Sequence, residues 1–182
     1  MVYVGDHLQD VINEVVAFYV DRDGEQTFEF YIDRYTEFLS DLLFNVPAVN
    51  GIYARRDARW DIYAYVFDLY NDAYGDDDIP KRLRRATHAS DVPYILEPTI
   101  DILDWKLHDK HKNIKEFFEE SFAEFAIEGH PLNHQALWLE ISADRTLRYM
   151  QIAKEFETKM GFFNGLKQRQ IHHTPYQFSV AS

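Results

Sequence analysis

The sequence predicts an α/β fold rich in helix, on three observations. Apolar residues recur at helical spacing along much of the chain, residues 60–68 form an aromatic and β-branched apolar run, and a long proline-bearing segment follows that run. At 182 residues, 46% hydrophobic and 16% aromatic, the chain suits one domain with a real core. Its formal net charge of −12 repels phosphate backbones, so nucleic acid is not expected as a partner. A protein that mimics DNA would share that charge, but a soluble acidic surface is the simpler reading. Without cysteine there are no disulfides, thiolate zinc sites or cysteine nucleophiles. Apolar runs such as Ile62 to Phe67 are far too short for a membrane span. The stretch from Met1 to His7 has neither the basic nor the apolar region of a secretion signal, so none is expected in the chain as written. Localisation stays open.

The elements follow in order. Leu8, Val11, Ile12, Val15, Val16 and Tyr19 give an amphipathic helix over Leu8 to Val20, stopped by Asp21-Arg22-Asp23-Gly24. A longer helix is expected from Glu25 to Phe44, with Phe28, Ile32, Tyr35, Phe38 or Leu39, and Leu42 on its apolar face and Pro47 as its bound. Trp60 to Asp68 reads as a strand buried on both faces, the kind found inside a mainly parallel sheet. Residues 71–100 hold Pro80, Pro93 and Pro98 and read as a long irregular segment, the sort that carries function. Asn113 to Ile127 is a helix with Phe117, Phe118, Phe122, Phe125 and Ala126 inward, ended by Gly129 and Pro131. Arg145 to Ile152 alternates as a short strand, Lys154 to Leu166 reads as a last helix, and residues 168–182 have no period and are expected to form a disordered tail. Two strands are too few to cover a strand that wants both faces buried. The chain reads as part of a larger sheet.

The informative stretch is Ala86-Thr87-His88-Ala89-Ser90-Asp91-Val92-Pro93-Tyr94-Ile95-Leu96, about twenty residues past the strand. A histidine on a loop beyond the end of a sheet strand is where α/β folds place catalytic groups. Imidazole titrates near neutrality, so it can accept and return a proton within one turnover.

This stretch resembles the histidine loop of the type-B carboxylesterases and cholinesterases, His-x-x-Asp/Glu-x-x-Tyr-x-Phe/Leu, with His88, Asp91, Tyr94 and Leu96 at its positions. The flanks are similar in order and spacing: Asp41 to Pro47, Tyr63-Ala64-Tyr65-Val66-Phe67, Ser121 to Pro131, and then Trp138, Leu147 to Ile152 and Lys159 to Asn164. The finer likeness is to nematode gut esterases. The resemblance implies a partial α/β-hydrolase fold over residues 1–167, the C-terminal strands and helices of the sheet with the catalytic-histidine loop. It also implies a serine esterase in which His88 is the general base, with no cofactor and no metal.

The nucleophile of that chemistry sits in a Gly-x-Ser-x-Gly elbow. Of the seven glycines, only Gly161 and Gly165 have that separation, and Phe163 lies between them. In the family the elbow, the oxyanion segment and the triad acid all lie upstream of the histidine, the acid by more than the 87 residues available here. Asp91 is too close along the loop to be that acid and reads as a loop-shaping residue. A protease stripped of one triad member keeps about 10³- to 10⁴-fold catalysis through its oxyanion hole and binding. A chain without the hole is expected to be inactive alone, its ester substrate met only in the complete enzyme. The alternative is a stand-alone, non-catalytic binding member of the same superfamily.

Other candidates read more plainly. His108 and His111 sit at i and i+3 and could share a metal, but charged neighbours and the lack of a third ligand favour a solvated face. Asp76-Asp77-Asp78 lacks the glycine and distal glutamate of a calcium loop. His172-His173 is weaker still, and the phenylalanines at 117–125 are explained by core packing.

Overall fold

The computed structural model describes residues 7–70, 80–96, 111–141 and 147–161. The chain divides into two compact units, Met1–Trp60 with Phe163–Ser182, and Asp61–Phe162. Asp76 to Asp78, His108, His172-His173 and the chain from Gln168 on lie outside the described residues.

The first unit is helical. Helix α1 spans Leu8–Tyr19, where the sequence periodicity puts it. Thr27 opens α2, Phe28–Ser40, its Oγ1 accepting the Phe30 amide at 3.2 Å in place of the partner that a first-turn N–H lacks. The expected single helix from Glu25 to Phe44 needs correction. After Ser40 the chain makes one π-helical turn, Asp41–Asn45, and continues as α3, Val46–Asp57, with Pro47 in its first turn. Pro47 begins a helix here instead of stopping one. A proline ring crowds the carbonyl four residues back and offers no N–H, and a widened turn just ahead relieves both demands. Within that turn Asp41 is buried, accepting from Tyr19 Oη at 3.0 Å and from Asn45 Nδ2 at 2.9 Å. Arg22 and Arg34 converge on Glu37 at 3.2 and 3.0 Å.

The second unit holds a three-stranded sheet in the order β1-β2-β3, with β1 at Tyr65–Phe67, β2 at Arg148–Ile152 and β3 at Phe156–Met160. Strand β1 runs parallel to β2, with Tyr65 opposite Met150 and Phe67 opposite Ile152. Strand β3 returns antiparallel, placing Phe156 opposite Ile152. The strand of 60–68 is thus shorter than expected and only half-buried. Its N-terminal part pairs irregularly: Ile62 O accepts the Ile141 amide at 2.9 Å, and Ala64 O accepts the Met150 amide at 2.9 Å and Trp138 Nε1 at 3.1 Å. Among the described residues β1 is an edge of the sheet, with a strand partner on one side only.

The helix expected from Lys154 is also corrected, because Phe156–Met160 is strand. Phe156 and Met160 fit a helical period, but the same residues gain more by doubling back. The hairpin stacks Phe156 on Phe117, centroids 4.1 Å apart, against the core. Residues 162–166 of that expected helix lie outside the described ones.

Helix α4 is short, Val92–Ile95, and α5 spans Lys112–Glu128, two residues longer than its periodicity predicts. Ile114, Phe117, Phe118 and Ser121 form its buried face. Gly129 ends it at φ +80°, a left-handed C-cap that glycine adopts without strain. The core joins Leu69, Tyr94, Ile114, Phe117, Phe118, Trp138, Met150 and Ile152.

Candidate active site

Tyr63, Tyr65 and Phe67 alternate along one strand direction, so they share a face, and that face meets α5. Tyr65 lies 5.6 Å from Phe118 and 5.7 Å from Trp138, ring to ring, in edge-on contact. After β1 the described chain resumes at Pro80, makes a single 3₁₀ turn at Lys81–Leu83, and enters the tight turn that carries His88.

That turn is closed by its own side chains. Ser90 Oγ accepts the Thr87 amide at 3.1 Å and donates to Thr87 O at 2.8 Å, while the Ser90 amide donates to the same carbonyl at 3.1 Å. Ala89 takes φ +65°, a left-handed conformation that costs a residue with a Cβ roughly 1–2 kcal/mol. Strain of this kind in a non-glycine residue collects at functional loops. His88 itself is exposed. Downstream, the Asp91 carbonyl accepts the Tyr94 amide at 3.0 Å, and Pro93 and Tyr94 are buried. Tyr94 packs on Phe67 at 5.3 Å, which brings the loop back to β1.

Asp91 has a second role. Its Oδ2 accepts a hydrogen bond from Tyr65 Oη at 2.7 Å, across 26 positions of sequence. Burial first, then that bond and the charge of Asp91, push the Tyr65 phenol well above its ordinary value. Tyr65 therefore stays a neutral donor. The sequence reading of Asp91 as a loop-shaping residue fits this contact. Tyr65 was missed as its partner; the spacing of Tyr63, Tyr65 and Phe67 marked the strand but assigned the second tyrosine no role.

His111 is a correction. It is buried, and its Nδ1 lies 3.1 Å from Tyr94 Oη. Next to Lys110 and Lys112 it reads as part of a polar face, yet Tyr94 supplies the polar partner that burial of an imidazole demands. No group of three histidine or acidic side chains able to hold a metal occurs among the described residues. Ser121 is buried on α5, where its Oγ accepts Asn133 Nδ2 at 2.9 Å, so it ties the helix to the following loop. Beside the same strand lies an apolar recess of about 390 Å³, lined by Tyr63, Tyr65, Phe122, Phe125, Pro131 and Trp138. Helical periodicity puts Phe122 and Phe125 in the core, yet Phe125 is 45% exposed at this recess.

A parallel strand pair, a helix packed on its aromatic face and a histidine turn that follows the edge strand in sequence make up a partial α/β fold of the hydrolase type. The chain belongs to the carboxylesterase family, whose profile matches residues 2–174. It is similar to Gut esterase 1 of Caenorhabditis elegans, 26% identical over 179 residues, covering 91% of this chain and 32% of that protein. Gut esterase 1 of Caenorhabditis briggsae matches at 25% identity, with 91% of this chain and 31% of its own length covered. A solved carboxylesterase of Geobacillus stearothermophilus superposes with a TM-score of 0.61 at 15% identity, covering 88% of this chain and 34% of that one. The chain thus spans about a third of the length of the curated relatives it matches. No helix among the described residues is long and apolar enough to cross a membrane.

Proposed function

We propose that this chain carries the general base of a serine carboxylesterase, and that the base is His88. In the complete reaction the imidazole takes the proton of a serine hydroxyl as it attacks the ester carbonyl. It then returns that proton to the departing alcohol. The serine, the acid that fixes the imidazole's tautomer and the donors that hold the oxyanion come from residues outside these 182. Carboxylic esters are the substrate class, met only when those parts are present, and no cofactor is required.

The observation that carries the reading is the exposed His88 on a strained, internally braced turn, joined by Tyr65, Asp91 and Tyr94 to an edge strand of an esterase-family chain. An exposed imidazole can reach a group presented by another segment, as a general base must.

Purified alone, the chain is expected to hydrolyse a short-chain aryl ester without saturation, at a rate that His88→Ala barely changes. When the chain replaces the matching third of C. elegans Gut esterase 1, a folded and active chimera is expected to lose at least about 10³-fold in kcat on His88→Ala. Full activity in the chimeric His88→Ala variant would overturn the assignment.

A further inference from the structure

The turn that holds His88 has a strand-borne anchor. Its bracing by Ser90 is local, confined to Thr87–Ser90, and fixes the shape of the turn without fixing its place on the sheet. The bond from Tyr65 Oη to Asp91 Oδ2 does fix that place. Its donor stands on β1, with the ring held edge-on by Phe118 and Trp138, so the hydroxyl has little freedom to follow a moving loop. Its acceptor lies three residues past the histidine, at the entry to α4. A hydrogen bond to a carboxylate is among the stronger ones a side chain can make. It also acts across the strained residue, since Ala89 sits between His88 and Asp91 at φ +65°. A turn held in a sparsely populated conformation relaxes unless its ends are tied.

We infer that Tyr65 and Asp91 are positioning residues for His88, a strand-to-turn clamp that holds the imidazole's turn in its strained form against the sheet. Neither side chain is assigned a part in proton transfer. The clamp sets where the transferring group stands, and a misplacement of about 1 Å in such a group costs on the order of 10²-fold in rate. The inference takes from the proposed function only the identity of the transferring group. Its test uses no ester, so it holds or fails independently of esterase activity.

The test is amide hydrogen exchange and imidazole NMR on the full 182-residue chain. Tyr65→Phe removes the donor while keeping the ring. Asp91→Ala removes the acceptor without touching the core, and so keeps the test open if Tyr65→Phe folds poorly. Asp91→Glu restores an acceptor. Tyr19→Phe deletes a buried tyrosine–aspartate bond in the helical unit and serves as the control. The amides of Ser90 and Val92, which donate within the turn, are expected to exchange about ten-fold faster in Tyr65→Phe and in Asp91→Ala. The double variant should go no further than either single one. The His88 ring resonances, assigned by their loss in His88→Gln, should shift in both variants, return toward the parent in Asp91→Glu, and stay unmoved in Tyr19→Phe. Exchange within two-fold of the parent with unmoved His88 resonances in both single variants would overturn the clamp. So would the same changes appearing in Tyr19→Phe.

Discussion

In the helical unit, Tyr19 and Val49 are the core apolar side chains among the described residues, while Phe28, Tyr35 and Leu43 stand more than half exposed. In the sheet unit ten such side chains among the described residues are buried, and the rings of Phe117, Phe118, Trp138, Tyr65 and Phe156 meet in stacked and edge-on pairs. Both units are rich in aromatics, so composition does not set them apart. They differ in what holds them. The helical unit rests on particular polar contacts: the Thr27 cap, the Arg22–Glu37–Arg34 cluster and the Tyr19–Asp41 bond. The sheet unit rests on packing. The candidate histidine belongs to the packed unit, which suits a group that must be held in place.

The largest expected effect tests that packing. Phe118 is fully buried and touches Tyr65, Phe67, Phe117 and Phe122. Phe118→Ala should destabilise the sheet unit by about 3–5 kcal/mol, from lost transfer energy plus the cavity left behind. Urea unfolding followed through Trp138, in a background with Trp60 and Trp105 replaced by Phe, reads that unit. A loss under about 1 kcal/mol would mean that the ring cluster is not what holds it.

A smaller effect reads the sheet unit by pH. Tyr65 has a phenol raised by burial, by its bond to Asp91 and by that residue's charge; Tyr63 is raised by burial and by Glu140 and Asp61. A group whose folded value lies above its unfolded one stabilises the fold fully below the unfolded value, about 10 for tyrosine. That stability is lost as the pH climbs from there through the folded value. The sheet unit should therefore weaken steadily above about pH 10, and Tyr65→Phe should flatten the decline. Urea midpoints at pH 8 to 11 would show it. Equal slopes in parent and variant would mean that Tyr65 is not the group titrating.

Some of this was legible in the sequence and some was not, for separable reasons. Helix α5 was readable because its phenylalanines, Phe117 to Phe125, keep one period over about two turns and Gly129 supplies the stop. Strand β2 was readable too, from its alternation; the spacing of His88, Asp91, Tyr94 and Leu96 marked a motif, but neither the tight turn nor α4 inside what reads as an irregular segment. The strand β3 was misread because five residues with Phe156 at one end and Met160 at the other satisfy a helix and a strand alike. Only the distant ring of Phe117 decides between them. Pro47 misled for a related reason, since a proline that stops one helix and a proline that starts the next look the same until the turn before it is seen. His111 and the Tyr65–Asp91 bond depend on partners 17 and 26 residues away, which leave no local mark.

The smallest effect is the sharpest test of the contrast. Phe28 on α2 and Ile127 on α5 are each 73% exposed, one in each unit, and each sits in the terminal turn of its helix. Serine has a helix propensity close to that of either residue, so backbone preference nearly cancels. Phe28→Ser and Ile127→Ser should both fall within about 0.5 kcal/mol of the parent, as surface changes do. If Ile127→Ser is neutral while Phe28→Ser costs more than about 1 kcal/mol, the Phe28 face is covered in solution. Repeating the unfolding at ten-fold lower protein concentration then separates the causes. A cost that shrinks on dilution comes from contact between copies of the chain, and one that persists comes from within it. In the second case the helical unit is packed as well as bonded, and the division between the two units is one of degree.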